Sequence, residues 1–228
     1  ELGIKDVPVE DVECDETWGY VGSKERTKRK NNVSDPKQGD AYCWIGFERS
    51  SKLVLAWHLG RRGNLDADAF AEKLDSATAG RFQLSTDGHE PYLESLGYHV
   101  GGRSDYAMIR KEYGYGPEGN RQYAPPSLVK SEKAVVWGNP DKKRVCTSHV
   151  ERFNASVRAG MKRMTRLTIA FSRCWENHKA ALALWIGYYN FCRMHRSLKM
   201  TPAMAADVAR RPWSMRDLLT AAMGATAL

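Results

Sequence analysis

The alternation of hydrophobic and polar residues predicts a group of three strands in the first quarter of the chain. Residues 9–16 alternate, with Val12 and Cys14 on one face and Glu13 and Asp15 on the other. Two apolar runs, rich in β-branched and aromatic residues, follow at 42–48 and 53–59, and the polar sequence RSSK separates them. Since this spacing is typical of a β-hairpin, we expect three consecutive strands that are mostly antiparallel.

Helices and further short strands are predicted in the next part of the chain. Residues 66–78 carry Phe70 and Leu74 at helical spacing, with aspartates in the first turn, where the helix dipole favours them. A strand is predicted at 81–86, a short helix at 89–96 and a fifth strand at 98–100. Asp87 directly follows the strand at 81–86, at the end of the sheet where ligands tend to gather.

Residues 101–144 have weak periodicity and frequent glycine and proline, so we interpret them as an insertion into the domain. Their mixture of tyrosines and basic residues has two interpretations. Aromatic and cationic side chains can stack on unpaired bases. Tyrosines in irregular segments more often pack the segment onto its host domain, and we favour this second interpretation.

Residues 148–171 predict a long amphipathic helix with one core face and one basic face. The apolar positions are Val150, Phe153, Val157, Met161, Met164 and Leu167. The opposite side carries Glu151, Asn154, Arg158, Lys162, Thr165 and Arg166. Glu151 lies near the helix start, where the dipole helps to keep it ionised. A lone acid among cations most often forms ion pairs, so this helix alone does not establish a metal ligand.

A second helix at 175–191 carries large apolar residues on several sides, which predicts extensive burial. Thr201 and Pro202 predict the N-cap and first turn of another helix, and a short helix is expected beyond Trp213. We therefore expect a domain at 1–174, containing the insertion at 101–144, and a C-terminal helical extension at 175–228.

The charge balance favours a polyanionic partner. The chain has 35 Lys and Arg against 27 Asp and Glu, a formal net charge of +8, and nucleic acid is the first candidate. A basic surface without a partner is the alternative. The run KERTKRK at 24–30 is a phosphate-contacting hairpin or a solvated, mobile loop, and the sequence leaves both open.

Cysteine usage and hydropathy indicate an intracellular protein. Five cysteines lack CxxC spacing, so we expect reduced thiols rather than a zinc ribbon or a disulfide framework. The sequence has no apolar run of about 18 residues and no signal-peptide pattern. We expect a cytoplasmic bacterial protein that does not enter a membrane.

Three acids occupy positions at which this order of elements would bring them together. Three strands, a helix, a strand, a short helix, a strand and a long helix is the order of a ribonuclease H-like domain. In that topology the first strand, the end of the fourth strand and the long helix converge, and they carry Asp15, Asp87 and Glu151. Clustered carboxylates suit Mg²⁺ or Mn²⁺. Two such ions about 3.5–4 Å apart support displacement at phosphorus.

Four segments resemble the catalytic part of bacterial insertion sequence 1 family transposases, which are DDE-type enzymes with a ribonuclease H-like fold. They are DETWGYVGSK at 15–24, STDGHEPYL at 85–93, TSHVERFNASVRAGMKRMTRLTIAFS at 147–172 and YYNFCRMHRSLKMTPA at 188–203. The resemblance extends over nearly the whole chain, and the insertion is its weakest part. It implies an α/β fold: a ribonuclease H-like mixed sheet with flanking helices, plus the insertion and the helical extension.

The resemblance also implies the roles of the acids. Asp15, Asp87 and Glu151 would form the catalytic triad and hold two Mg²⁺ or Mn²⁺ ions. Asp15, rather than Glu16, matches the first acid of the family, and Glu13 is a local rival on the same strand face. The family's amino-terminal zinc-binding or helix-turn-helix part, which recognises transposon ends, has no counterpart in the sequence given.

The expected activity is cleavage of a DNA strand at the transposon end, followed by transfer of the freed 3′-hydroxyl to target DNA. Its partners would be double-stranded DNA, as ends and as target, and further copies of the chain, because two ends must be held. The expected DNA-binding residues are Lys24, Arg29, Lys30, Arg152, Asn154, Arg158, Lys162 and Arg166. A metal-dependent nuclease and a non-catalytic, repurposed DNA-binding module are the alternatives.

Overall fold

A six-stranded mixed sheet forms the centre of this computed structural model, which describes residues 4–114 and 127–224. The strands are β1 (Val7–Pro8), β2 (Asp11–Val21), β3 (Gly39–Glu48), β4 (Val54–Gly60), β5 (Thr78–Ala79), β6 (Phe82–Asp87), β7 (Ser104–Gly114) and β8 (Ser127–Trp137). The order in the sheet is β4-β3-β2-β6-β7-β8, and β1 and β5 pair separately. β2, β6 and β7 are parallel, whereas β3, β4 and β8 pair with their neighbours antiparallel.

Helices cover both faces of the sheet. They are α1 (Glu25–Lys30), α2 (Asn64–Ala77), α3 (Pro91–Val100), α4 (Ser148–Gly160), α5 (Trp175–Gly187), α6 (Pro202–Ala205) and α7 (Met215–Gly224). Successive strand residues point to opposite faces, so Trp44 packs in a core with α2 and α3, whereas Ile45 packs in a second core with α4 and α5. Within the described residues, every helix is too short or too polar to cross a lipid bilayer.

The first half of the chain follows the predicted pattern closely. The three predicted strands are β2, β3 and β4, the helix predicted at 66–78 is α2, and the strand predicted at 81–86 is β6. The fifth strand predicted at 98–100 is wrong, since these residues form the end of α3. Tyr92, Leu96 and Val100 are all buried at four-residue spacing, and this spacing keeps the segment helical.

The segment predicted as an insertion supplies strands β7 and β8 to the main sheet. Residues 115–126 between them lie outside the described part. In β7, Tyr106, Ala107, Met108 and Ile109 are all buried. A strand that is buried on both faces has no polar alternation, and the sequence pattern was weak here for that reason.

The amphipathic helix is shorter than predicted, because α4 ends at Gly160 rather than continuing to 171. The buried face predicted at Val150, Phe153 and Val157 is confirmed. Met161 has an extended backbone that turns the chain away from the helix axis. Leu167, predicted to lie in the core, is 86% exposed.

The helices predicted after residue 174 are present in the structure. α5 continues into a π-helical turn at Tyr188–Cys192, and α7 is the short helix expected beyond Trp213. Thr201 Oγ1 accepts a hydrogen bond from the backbone N–H of Met204 at 3.2 Å, which confirms the N-cap. All five cysteines are free thiols, as expected.

His178 gives the fold a pH dependence that can be measured. Its ring is fully buried in α5, with Nδ1 2.7 Å from Ser172 Oγ. Burial, with a smaller contribution from Arg163, lowers the pKa of His178 to about 4. In the unfolded chain the pKa is about 6.5. As the pH falls from about 6.5 to about 4, the unfolded state therefore gains a proton that the folded state does not.

We predict that His178 removes up to about 3 kcal/mol from the free energy of unfolding over this pH range. Urea unfolding of the wild type and of His178→Gln at several pH values measures it. The difference in free energy of unfolding between the two proteins should narrow as the pH falls. An Asn177→Gln control, which changes an exposed, non-titrating side chain on the same helix, should keep a constant difference from the wild type. A wild-type to His178→Gln difference that does not change with pH would contradict this account of His178.

Candidate metal centre and basic surface

Strands β2 and β6 bring two of the three predicted acids together. Their parallel register pairs Cys14 with Thr86, so Asp15 and Asp87 follow at adjacent positions. Carboxylate oxygens of Asp15, Glu16 and Asp87 all lie within 4.8 Å of one another. The backbone N–H of His89 donates to Asp87 Oδ1 at 3.1 Å, in the turn that leads to α3.

Helix α4 contacts this group through Asn154, which is buried. Asn154 Nδ2 donates to Asp15 Oδ2 at 2.9 Å, and the backbone N–H of Glu16 donates to Asp15 Oδ1 at 2.9 Å. Burial, and after it the charge of Asp87, raises the pKa of Asp15 to about 6. Asp15 thus holds its negative charge at an energetic cost that a bound cation would relieve.

Glu16 belongs to this group, although it was not among the predicted acids. Its side chain is 2% exposed, and it accepts hydrogen bonds from Arg62 Nε at 3.1 Å and from the Tyr92 hydroxyl at 3.2 Å. Burial and the charge of Asp87 raise the pKa of Glu16 to about 7. The adjacent acids in the first strand were its sequence signal, but the resemblance favoured Asp15 alone, because Asp15 matches the first acid of the family.

Glu151 lies beside the group rather than within it. It is exposed in the first turn of α4, as predicted, and accepts a hydrogen bond from Thr147 Oγ1 at 3.0 Å. Its carboxylate is ion-paired with Lys111 from β7. Its charge contributes to the raised pKa of Asp15, so the two carboxylates interact without sharing a cluster.

Glu13, the alternative to Asp15 on the same strand face, has a structural role instead. Its buried carboxylate accepts hydrogen bonds from the backbone N–H groups of His149 and Val150 at 2.9 and 3.0 Å, and His149 Nδ1 lies 2.7 Å away. Glu13 thereby joins β2 to the start of α4. With Cys146 and His149 it forms a second group of metal-ligand type, but the positive end of the helix dipole at this point disfavours a cation.

The predicted basic residues do not all lie on one helix face. Arg152 and Arg158 are on α4, but Lys162 and Arg166 follow its end, so their predicted helical placement is wrong. Arg29 and Lys30 are exposed on α1, which is a short helix rather than the hairpin or loop expected from the sequence.

Some of these cations nevertheless meet at one place. Lys24, Arg158 and Lys162 line a cavity of about 760 Å³. Arg158 Nε is buried and, within the described residues, has no hydrogen-bond partner.

The donor set suits a hard divalent cation such as Mg²⁺ or Mn²⁺. Asp15, Asp87 and Glu16 offer closely spaced carboxylate oxygens, and burial, followed by the charge of Asp87, raises the pKa values of Asp15 and Glu16. Comparison with known proteins assigns no family, since no protein-family model matches the chain and no curated protein matches it. The chemistry of the residues therefore carries the functional assignment.

We predict that saturating Mn²⁺ raises the melting temperature of the protein by about 5 °C or more, because the cation relieves carboxylate repulsion. Asp87→Asn should melt at a higher temperature than the wild type without metal, since one like charge is gone, and should lose the Mn²⁺ response. Differential scanning fluorimetry with Mn²⁺ or EDTA measures both effects. Glu72→Gln, an exposed change on α2, is the matched control, and an equal Mn²⁺ response in Asp87→Asn would remove Asp87 from the site.

Proposed function

We propose that the protein is a DDE-type transposase related to the insertion sequence 1 family, with a ribonuclease H-like catalytic domain. The strand order β4-β3-β2-β6-β7 supports this proposal. An antiparallel trio is followed by parallel strands, and the helix that carries the third acid packs against the first long strand. β8 is an additional antiparallel edge strand in this interpretation.

The proposal rests on one observation, which is that the carboxylates of Asp15 and Asp87 lie close together next to α4. The two acids lie far apart in the chain, yet their oxygens lie within 4.8 Å, and Asn154 from the helix of Glu151 bonds to Asp15. This arrangement places the third acid within electrostatic reach of the first. A network built only for stability would pair Asp15 with a cation, whereas the charge of Asp87 beside it raises the pKa of Asp15.

In the proposed mechanism, the chain holds a DNA phosphodiester between the acids and a basic surface formed by Lys24, Arg158 and Lys162. Asp15, Asp87 and Glu151 would hold Mg²⁺ or Mn²⁺, which supply activation of the attacking oxygen and stabilisation of the leaving oxygen. Asn154 fixes the orientation of Asp15, while Arg158 and Lys162 bind flanking phosphates. When the substrate complex forms, Glu151 would leave its ion pair with Lys111 and join Asp15 and Asp87.

Two displacements at phosphorus make up the reaction. Water attacks the phosphodiester at the transposon end, the P–O bond to the 3′-oxygen breaks, and the freed 3′-hydroxyl carries the proton. That hydroxyl then attacks a target phosphodiester, so one P–O bond forms as another breaks and a new 3′-hydroxyl leaves. No covalent protein–DNA bond is required. Since two ends must be joined to one target, we propose that the active form is a homo-oligomer on double-stranded DNA.

A strand-transfer assay tests this function. The protein receives a labelled duplex with a free 3′-hydroxyl end, a supercoiled plasmid, and either Mn²⁺ or EDTA. We predict metal-dependent joining that falls about a thousandfold in Asp15→Asn, Asp87→Asn or Glu151→Gln. DNA binding in EDTA and the folded state should persist in all three variants, because neither depends on the bound metal.

The other outcomes identify the alternatives. Nicking without joining would indicate a metal-dependent nuclease. Binding that is indifferent to metal, without cleavage, would indicate a non-catalytic DNA-binding module. Full strand-transfer activity in Glu151→Gln, with loss of activity in Glu16→Gln, would identify Glu16 rather than Glu151 as the third acid.

The basic surface gives a second prediction, on the salt dependence of DNA binding. Each phosphate that the protein neutralises releases counterions, which steepens the fall of affinity with salt. The double variant Arg158→Gln with Lys162→Gln should therefore reduce the slope of log affinity against log salt by about 2. Lys5→Gln with Lys73→Gln, placed on the α2 side of the sheet, should leave the slope unchanged. Equal slopes in the two double variants would exclude this surface as the DNA site.

A further inference from the structure

Two large aliphatic side chains extend into solvent from the segment that follows α4. Leu167 is 86% exposed and Ile169 is 99% exposed. Both belong to the sequence Arg166-Leu-Thr-Ile-Ala170, in which the alternate residue Thr168 is partly buried. Two neighbouring, almost fully exposed aliphatic residues are unfavourable in water unless a partner covers them.

The backbone of this segment is attached to β2 and to the residues just after it. The Tyr20 hydroxyl donates to the Thr168 carbonyl at 3.2 Å, and Lys24 Nζ donates to the Arg166 carbonyl at 3.0 Å. Phe171 stacks on the ring of Tyr20, with centroids 5.3 Å apart. The exposed aliphatic side chains are therefore presented by an attached segment rather than by a free loop.

The surroundings of these side chains are cationic. Leu167 and Ile169 line the same cavity of about 760 Å³ as Lys24, Arg158 and Lys162. A second copy of the chain, with a net charge of +8, would bring more positive charge to this cavity. DNA fits better, because its phosphates neutralise the cations while its bases cover the aliphatic side chains.

The cavity also lies close to the acids along α4. Asn154 bonds to Asp15, and Arg158, which lines the cavity, lies four residues later on α4. Four residues span about 6 Å of helix, which is about two steps of a DNA strand. A strand that places a phosphate at Asp15 and Asp87 thus passes the aliphatic pair within a few nucleotides.

We propose that Leu167 and Ile169 form a wedge that enters a base step of the bound DNA beside the reacting phosphate. Apolar side chains inserted between bases unstack them and kink the duplex. This inference rests on the proposed function, and it adds that the preferred substrate is a duplex that is already opened near the cleavage point. Lys24, Arg158 and Lys162 would hold the phosphates on either side of the opened step.

Binding to paired and opened duplexes tests the wedge. Fluorescence anisotropy in EDTA gives the dissociation constants for a fully paired duplex and for the same duplex with two adjacent mismatches. The mismatched step has lost most of its stacking, so the wild type should prefer it on the order of tenfold. Leu167→Ser with Ile169→Ser should reduce the preference to about twofold or less, with the affinity for paired DNA and the melting temperature nearly unchanged.

Leu65→Ser with Tyr98→Ser is the matched control, since these side chains are 89% and 84% exposed on α2 and α3, on the opposite side of the sheet. It should keep the wild-type preference. An unchanged preference in the Leu167 and Ile169 variant, or no preference in the wild type, would overturn the wedge while leaving the transposase proposal intact. Loss of a dimer in that variant by light scattering would overturn it in favour of a protein interface. A wild type that binds neither duplex would instead contradict the proposed function.

Discussion

The buried carboxylate of Glu13 determines where helix α4 begins and which part of it faces the sheet. A buried charge is costly unless it is hydrogen-bonded, and the first N–H groups of a helix have no partners within the helix. Glu13 satisfies both requirements by accepting the N–H groups of His149 and Val150. Because Glu13 lies two residues before Asp15 on the same face of β2, this contact places α4 beside the candidate metal centre.

The helical repeat extends this contact into a site. Asn154 lies four residues after Val150 and bonds to Asp15, and Arg158 lies one turn further at the edge of the basic cavity. Helix α4 thus runs from the candidate metal centre to the basic cavity. Glu151 is the exception, because its ion pair with Lys111 keeps it beside the group. Glu151 could enter the site only if bound metal and DNA together made it favourable to break that ion pair.

The pattern of polar and apolar residues predicted the strands and helices whose two sides differ in polarity. Alternation found β2, and helical spacing found the buried face of α4, because each has one polar and one apolar side. β7 was missed, since it is buried on both faces. The predicted order of elements also brought Asp15 and Asp87 together, and their carboxylate oxygens lie within 4.8 Å. Glu16 is held in the acidic group by hydrogen bonds from Arg62 and Tyr92, which lie far away in the sequence. Residue spacing along the chain does not reveal such contacts.

Anomalous diffraction from crystals grown with Mn²⁺ and a DNA duplex would test the central claim most directly, because it locates the ions relative to the acids. We expect two Mn²⁺ peaks about 3.5–4 Å apart, held by Asp15, Asp87 and Glu151, with the ion pair between Glu151 and Lys111 broken. A single ion held by Asp15, Glu16 and Asp87, with Glu151 still bound to Lys111, would contradict the proposed triad. Peaks only at Glu13, Cys146 and His149 would contradict the proposed metal centre itself.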